Sequence, residues 1–164
     1  MSFQILDIIL YAHDGKRRIL SLKPGHVNIV TGASKTGKSA LIHIVDYCLG
    51  STSCDIPEGV IRNAVAWFAL RLQLRQGHAF IARRAPIGGA ASSTDVYYSL
   101  ASELTIPEAS QIQRTTNVAT LVQLLSVAAG IGPNIHDPPT GQTRQPLSAT
   151  IRHALSARGV SGRR

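Results

Sequence analysis

Long apolar runs are missing from this sequence, and none approaches the ~20 residues that a membrane-spanning helix needs. The first residues, MSFQILDIILYAHDG, have no basic stretch ahead of the apolar one and carry Asp7 within it, which argues against a signal peptide. A chain of 164 residues, 44% of them hydrophobic, is long enough for one domain with a buried core. We therefore expect a soluble, cytoplasmic protein that has no membrane partner.

Cysteine is also scarce, because Cys48 and Cys54 are the only two in the chain. Two cysteines are too few for a disulfide framework, and no second pair is present to complete a zinc site. Free cysteine is among the residues most often buried in protein cores. The sequence therefore predicts that Cys48 is a reduced core residue.

Acidic residues are missing from the C-terminal end, which carries most of the net charge of +8. Between residues 138 and 164 the chain has no Asp or Glu and five arginines: Arg144, Arg152, Arg158, Arg163 and Arg164. The other 12 basic and 9 acidic residues leave only +3 for residues 1–137. A basic tail can contact phosphates without specificity, and an unstructured chain end is the alternative interpretation.

The first third of the chain has the pattern of a hairpin, a third strand and a helix. Alternating apolar residues predict strands at 3–11 and 18–22, joined by a turn at residues 13–16. The compact apolar run at 27–31 predicts a strand that leads directly into a glycine-rich loop. Helical spacing of apolar residues then predicts a helix over 38–49, with Gly50 at its end.

The middle of the chain predicts antiparallel pairing. Residues 66–74 and 78–84 alternate on either side of Gln76-Gly77, which is typical of a hairpin and too short for a parallel crossover. The alternation should place Leu70 and Leu72 on one face with Phe68 and Leu74, and Arg71 on the other. Short strands are expected at 96–100 and 104–106, and a helix at 118–129 with Asn117 as its cap and Gly130 at its end.

The composition changes near residue 132, so we divide the chain into a lobe at 1–131 and a remainder at 132–164. In the remainder we predict a loop at 132–146, a short helix within 147–155 and a basic tail. Nothing in this region has the apolar patterning that would anchor it, so we expect it to be poorly ordered.

The glycine-rich loop matches the complete pattern G-x4-G-K-[ST] of phosphate-binding loops. Its glycines permit close approach of the backbone, and its N–H groups together with the following helix N-terminus point at phosphates. The lysine of this motif reaches the β- and γ-phosphates, and the serine hydroxyl is a ligand of Mg²⁺. We therefore predict binding of ATP and Mg²⁺, with Ser39 as metal ligand, at Gly32, Ala33, Ser34, Lys35, Thr36, Gly37, Lys38, Ser39 and Ala40.

Two longer stretches carry a resemblance to a known family. LSLKPGHVNIVTGASKTGKSALIHIVDYCLG resembles the first lobe of ABC-type ATPases, and VIRNAVAWFALRLQLRQGHAFIARRA is similar to the strand pair that follows in the SMC/RecF/Rad50-like branch. Over residues 3–130 the chain resembles the Rad50-like ATPases of bacterial ABC three-component conflict systems. The resemblance implies an α/β fold with a mixed sheet, namely the N-terminal P-loop NTPase lobe of ABC/SMC type with antiparallel hairpins.

The sequence departs from this family in the elements needed for hydrolysis. No acid after the loop ends an apolar strand as a Walker B motif requires, and neither an LSGGQ-like signature nor a Q-loop glutamine is evident. We therefore assign no catalytic residue and expect an incomplete lobe, a fragment of a larger ATPase that binds Mg-ATP without turning it over. The remainder of the ATPase or a second copy would complete the site, and DNA stays open as a partner.

Two other functions remain as alternatives. One is a small P-loop kinase, although such enzymes continue with parallel strands where this chain predicts a hairpin. The other is a nucleic-acid-binding module that uses the basic tail. The family resemblance would bring Lys16, Arg17 and Arg18 near the nucleotide base, against the alternative of a solvated turn. We expect Trp67 and Phe68 to pack in the sheet rather than to stack on bases.

Overall fold

The computed structural model describes residues 3–33, 37–131, 135–136 and 147–148. In chain order the elements are β1 (Gln4–Ala12), β2 (Arg17–Ser21), α1 (Ala40–Cys48), α2 (Val60–Ala64), β3 (Val65–Leu74), β4 (Gly77–Arg84), β5 (Val96–Ala101), a 3₁₀ turn (Ala109–Gln111), α3 (Val118–Ala128), β6 (Ile135–His136) and β7 (Leu147–Ser148). No helix in this part of the chain is both long and apolar enough to cross a bilayer.

A five-stranded antiparallel sheet in the order β2-β1-β3-β4-β5 forms the centre of the fold. The prediction of an α/β protein with antiparallel hairpins is therefore confirmed, including the hairpins β1–β2 and β3–β4. The prediction that this sheet is mixed was wrong, because all four of its strand pairs are antiparallel. The second hairpin pairs Trp67 with Arg84 at one end and Leu74 with Gly77 at the other. Gly77 has a φ of 133°, and a Cβ there would lie 2.5 Å from the carbonyl oxygen of Ala101. Only glycine fits this turn.

The main core lies between one face of the sheet and the helices α1 and α3. The predicted inward residues of β3 are all buried there, together with Ile44 and Cys48 of α1 and Leu121 of α3. On β3 these residues are Phe68, Leu70, Leu72 and Leu74. The structure thus confirms both the alternation of β3 and the apolar face of α1.

The opposite face of the sheet has its own apolar cluster, formed around Ile9, Tyr11 and Phe80 and covered by the segment 104–112. The prediction of a strand at 104–106 was wrong, because this segment crosses the sheet instead of pairing within it. Side chains of the sheet donate hydrogen bonds to the carbonyl groups of this segment: Arg71 Nη1 donates to Leu104 O over 3.0 Å, and Arg17 Nη1 donates to Ile106 O over 3.1 Å. Tyr11 Oη donates to Pro107 O over 2.7 Å.

A buried arginine joins the C-terminal end of α1 to the sheet. Arg83 is 1% exposed, and its Nη1 donates to Tyr47 O and Ser51 O over 2.8 and 2.5 Å, while Nε donates to Ser93 O over 2.9 Å. Its guanidinium carbon lies 3.9 Å from the centre of the Tyr47 ring. A cation is favourable at a helix C-terminus, where carbonyl groups have no helical partner.

Tyr47 completes this junction through its hydroxyl group. The hydroxyl donates to Arg84 O over 2.8 Å and accepts from the main-chain N–H of Ser93 over 3.0 Å. Burial raises the pKa of Tyr47 to about 12, so the proton that it donates is retained at neutral pH. The Tyr47 ring also meets Phe68 edge-on, with centroids 6.0 Å apart.

The helix termini follow the predicted capping residues. Asn117 Oδ1 accepts from the main-chain N–H of Thr120 over 2.9 Å, and Gly130 follows α3 with a φ of 72°. Gly50, with a φ of 102°, follows α1 in the same way. In the C-terminal region, β6 and β7 pair with each other. Residues 135–136, within the predicted loop at 132–146, and residues 147–148 are therefore strands. The rest of the helix expected within 147–155 and the basic tail lie outside the described residues, and the poor order expected for 132–164 stays a prediction.

Replacement of Arg83 tests whether this junction stabilises the fold. In Arg83→Met the side-chain length is kept, but the main-chain carbonyls of Tyr47, Ser51 and Ser93 each lose a hydrogen bond from the buried guanidinium group. We expect a loss of about 3 kcal/mol in the free energy of unfolding, measured by urea denaturation. The matched control is Arg114→Met, since Arg114 is 59% exposed and makes only a 3.4 Å ion pair with Asp95, so its loss should cost less than about 0.5 kcal/mol. Equal stability of the two variants would contradict the assigned role of Arg83.

Candidate phosphate-binding loop

The segment that leads into the loop belongs to no described sheet. The prediction of a strand at 27–31 was wrong: Val27 and Ile29 are 90% and 80% exposed, and no described strand pairs with them. β1 already pairs with β2 on one edge and with β3 on the other, so it offers no edge to this segment. The chain instead turns at 23–28, where the Asn28 side chain donates to the carbonyls of Lys23 and His26.

The loop itself runs from this segment into α1. Gly32 and Ala33 are exposed, and Gly37 adopts a φ of 81°, which a side chain would disfavour. Ala40 N donates to Gly37 O over 3.0 Å and starts the helix, so the prediction that a helix directly follows the loop is confirmed. Three predicted site residues, Ser34, Lys35 and Thr36, lie outside the described part of the chain.

Lys38 connects the two ends of the loop. Its Nζ donates to Gly32 O over 2.7 Å and also to Ala33 O. Both acceptors are neutral carbonyl groups, and an anionic oxygen is the stronger acceptor for an ammonium group. The arrangement therefore holds a positive charge against the carbonyls at the start of the loop.

Ser39 lies at the N-terminal boundary of α1 and is exposed. A serine at this position commonly caps the helix by accepting from a main-chain N–H. Here its backbone is helical and its side chain makes no capping hydrogen bond. Within the described residues, no group of three or more His, Cys, Asp or Glu side chains has the arrangement of a metal site. Among the described residues of the loop, Ser39 thus has a hydroxyl group that is not used to cap the helix.

A groove of about 500 Å³ opens between the N-terminal hairpin and α2. Arg17 on β2 and Ile61 on α2 line its two sides, and Ile61 also lies against the loop, because a Cβ on Gly37 would be 2.9 Å from Ile61 Cδ1. Arg17 is held by Pro107 O at 2.9 Å and by Glu108 Oε1 at 2.9 Å. The basic residues singled out in the sequence all line this groove: Lys16, Arg17 and Arg18. The contribution of α2 was missed, since VIRNA is too short for a helical period to be recognised.

A second groove, of about 480 Å³, lies between α1 and the start of the sheet. Lys38 and Asn28 are its polar residues, and the rest of its lining is apolar: Ile5, Ile8, Leu20, Leu22, Val30, Leu41, Ile42 and Val45. Ile42 is 74% exposed, and Val27 and Ile29 are also largely exposed. Large apolar side chains thus remain exposed on this surface.

The cysteines contribute nothing to the loop. Cys48 and Cys54 are both buried and free, which confirms the prediction of a reduced core cysteine. Burial raises the pKa of the Cys48 thiol, so it stays protonated and unreactive at neutral pH.

The described part of the loop is thus near a basic groove and an apolar groove, and the ammonium group of Lys38 contacts the carbonyls of Gly32 and Ala33. Comparisons of the chain with known protein families, with curated proteins and with solved structures gave no significant match.

Proposed function

We propose that residues 32–40 bind the phosphates of a nucleoside triphosphate. One observation carries the proposal. The complete G-x4-G-K-S sequence leads directly into the first turn of α1, and Lys38 Nζ donates to the carbonyl of Gly32 at the start of the loop. Helix N-termini and glycine-rich loops bind phosphate because their main-chain N–H groups have no internal partners. The family resemblance extends this to the N-terminal ATP-binding lobe of a cytoplasmic SMC/RecF/Rad50-like ATPase of ABC type.

The residues of the loop then take separate roles. Lys38 transfers its ammonium group from the carbonyls of Gly32 and Ala33 to the β- and γ-phosphates. Ser39 provides a hydroxyl ligand to Mg²⁺, whose remaining ligands are phosphate oxygens and water, as is usual for this ion. Gly37 lets the main chain approach the phosphates closely.

The nucleoside part of the ligand fits the basic groove between the hairpin and α2. This groove begins at Ile61, which lies against Gly37, and it is lined by three basic side chains of the hairpin. Its apolar wall, formed by Val60, Ile61 and Ala64, suits the face of a base, while Arg17 and Arg18 suit ribose hydroxyls and phosphate oxygens. The alternative of a solvated turn predicts no change in nucleotide affinity on replacement of Arg18.

The hydrolytic groups are proposed to come from a second lobe or a second copy of the chain. The described strands that follow the loop end at Leu74, Arg84, Ala101, His136 and Ser148, none of which is an acid that could hold the metal. The apolar groove beside Lys38 is a suitable surface for such a partner, because it brings uncovered side chains next to the phosphates. The antiparallel sheet argues against the alternative of a small P-loop kinase.

Replacement of Lys38 tests the proposed phosphate contact. In Lys38→Ala the affinity for Mg-ATP and for a non-hydrolysable analogue should fall at least about tenfold, since an ammonium–phosphate contact is lost. Isothermal titration calorimetry measures this change. Lys23→Ala is the matched control, because Lys23 is an exposed lysine on the same approach to the loop and only its main chain is hydrogen-bonded in the Asn28 turn. Equal affinities of wild type and Lys38→Ala would refute the proposal.

Replacement of Ser39 separates metal binding from phosphate binding. In Ser39→Ala the ATP affinity measured in excess EDTA should match that of the wild type, whereas the gain in affinity on addition of Mg²⁺ should shrink severalfold. The reason is that only the metal uses the hydroxyl group, while the helix does not depend on it as a cap. A loss of affinity that is the same with and without Mg²⁺ would assign Ser39 to phosphate contact or to helix stability instead.

Turnover tests the proposed need for a partner. We expect the isolated 164-residue chain to bind ATP but to release phosphate far more slowly than ~1 s⁻¹, the low end for typical enzymes. A phosphate-release assay with purified chain measures this, and Lys38→Ala gives the background from contaminating ATPases. Turnover near ~1 s⁻¹ that disappears in Lys38→Ala would show that the chain is complete for hydrolysis.

A further inference from the structure

A separate cavity of about 320 Å³ lies at the end of the sheet where β1 and β4 finish and β3 begins. Its lining includes two arginines, the tryptophan and a histidine, together with a turn that contains two glycines of positive φ. Those that the argument uses are Trp67, Arg62, Arg84 and Pro86. The cavity shares α2 with the basic groove, but a different part of that helix lines it, and no residue of the loop does.

The cavity is positively charged. None of its lining residues is acidic, and the partners of the two arginines are distant: Arg62 Nη1 lies 3.4 Å from Glu58 Oε1, Arg62 Nη2 donates to Ala90 O over 3.3 Å, and Arg84 Nη1 lies 3.4 Å from Asp95 Oδ2. Strong charge-assisted bonds are shorter, about 2.7–2.9 Å. An anion with several oxygens therefore gains shorter contacts than those the two guanidinium groups now make.

The cavity also offers an aromatic surface. Trp67 is directly opposite Arg84 in the β3–β4 ladder, so both side chains leave the same face of the sheet. The indole packs partly against the apolar cluster around Tyr11 and Phe80, which agrees with the expected sheet packing, yet it remains partly exposed and lines the cavity. Pro86 and Ile87, the latter 63% exposed, provide further apolar area at the rim. A flat ring can stack in such a place.

We propose that this cavity binds one nucleotide unit, with its base against Trp67 and its phosphate between Arg62 and Arg84. The volume of about 320 Å³ is at the lower end of the range for small-ligand sites, about 300–1,000 Å³, and so suits a single nucleotide. Stacking on an aromatic residue with arginines on the phosphate is the usual recognition of unpaired nucleotides. A free mononucleotide and a single-stranded nucleic acid present the same chemistry. The inference is independent of the proposed function of the loop.

Tryptophan fluorescence reports on this cavity directly, because Trp67 is the only tryptophan in the chain. We would titrate the Lys38→Ala variant in EDTA, so that the loop does not contribute, with uridine 5′-monophosphate and separately with a short oligothymidylate. Stacking should quench the tryptophan fluorescence in a saturable way. Quenching by both ligands with similar affinity identifies a free nucleotide as sufficient. Quenching by the oligonucleotide alone, with a steep salt dependence, identifies a nucleic-acid strand.

Replacement of the two arginines tests whether they bind the phosphate of the nucleotide. Arg84→Ala and Arg62→Ala should each weaken binding about tenfold, whereas Arg114→Ala, which removes a neighbouring arginine on Asp95 that does not line the cavity, should leave it unchanged. Circular dichroism checks the fold. If Arg62→Ala does not fold, Arg62→Lys replaces it, and the loss of the forked donor should still weaken binding severalfold. No saturable quenching by either ligand, or quenching that survives both arginine replacements, overturns the proposal.

Discussion

The hydrogen bonds of Arg83 connect β4 to the C-terminal end of α1, the helix that follows the loop. Its guanidinium group binds carbonyls at the C-terminal end of α1, and Tyr47 of that helix binds the main chain on either side of the segment 85–92. Because α1 has nine residues, at about 1.5 Å each, its N-terminus lies about 13 Å from this junction. A short, buried connection of this kind leaves little freedom in the direction of the helix. The position of the loop relative to the sheet therefore depends on a residue that is far from it in sequence and contacts the opposite end of α1.

The two faces of the sheet are stabilised in different ways. One face is closed by helices through apolar packing, whereas the other is covered by an irregular segment that side chains of the sheet hold by its carbonyls. Asp7 is part of this second system: it is 2% exposed, accepts from Arg71 Nε and Ser21 Oγ over 2.6 Å each, and so orients Arg71 toward Leu104 O. A buried carboxylate is costly unless it is paired and hydrogen-bonded, and here both conditions are met. The acid in the apolar stretch of β1 thus positions the covering segment.

Features of the fold that depend on neighbours in sequence were predictable, and those that depend on distant partners were not. Alternation gave the hairpins and the inward residues of β3, and capping residues gave the ends of α3, because each is decided within a few positions. The apolar run at 27–31 has the same local pattern, but a strand also needs a free sheet edge, which β1 does not provide. At 104–106 the carbonyls bind arginines of distant strands. One signal was present and unused: Arg83 is in phase with Ile81 and Ala79, so the alternation places it on the core side.

For the loop, the motif gave the residues, but the structure was needed to find what surrounds them. Gly37 illustrates the difference. Its φ of 81° explains the glycine from the loop alone, yet a side chain there would also meet Ile61 at 2.9 Å. The second reason places the loop in contact with the five-residue helix α2. Arg62, the residue after Ile61 in this helix, lines the cavity at the end of the sheet. A side chain at position 37 would have to displace α2 as well as strain the loop, so the glycine is required by packing and by backbone conformation independently. Neither requirement depends on which ligand the loop binds, so the fold alone requires glycine at position 37.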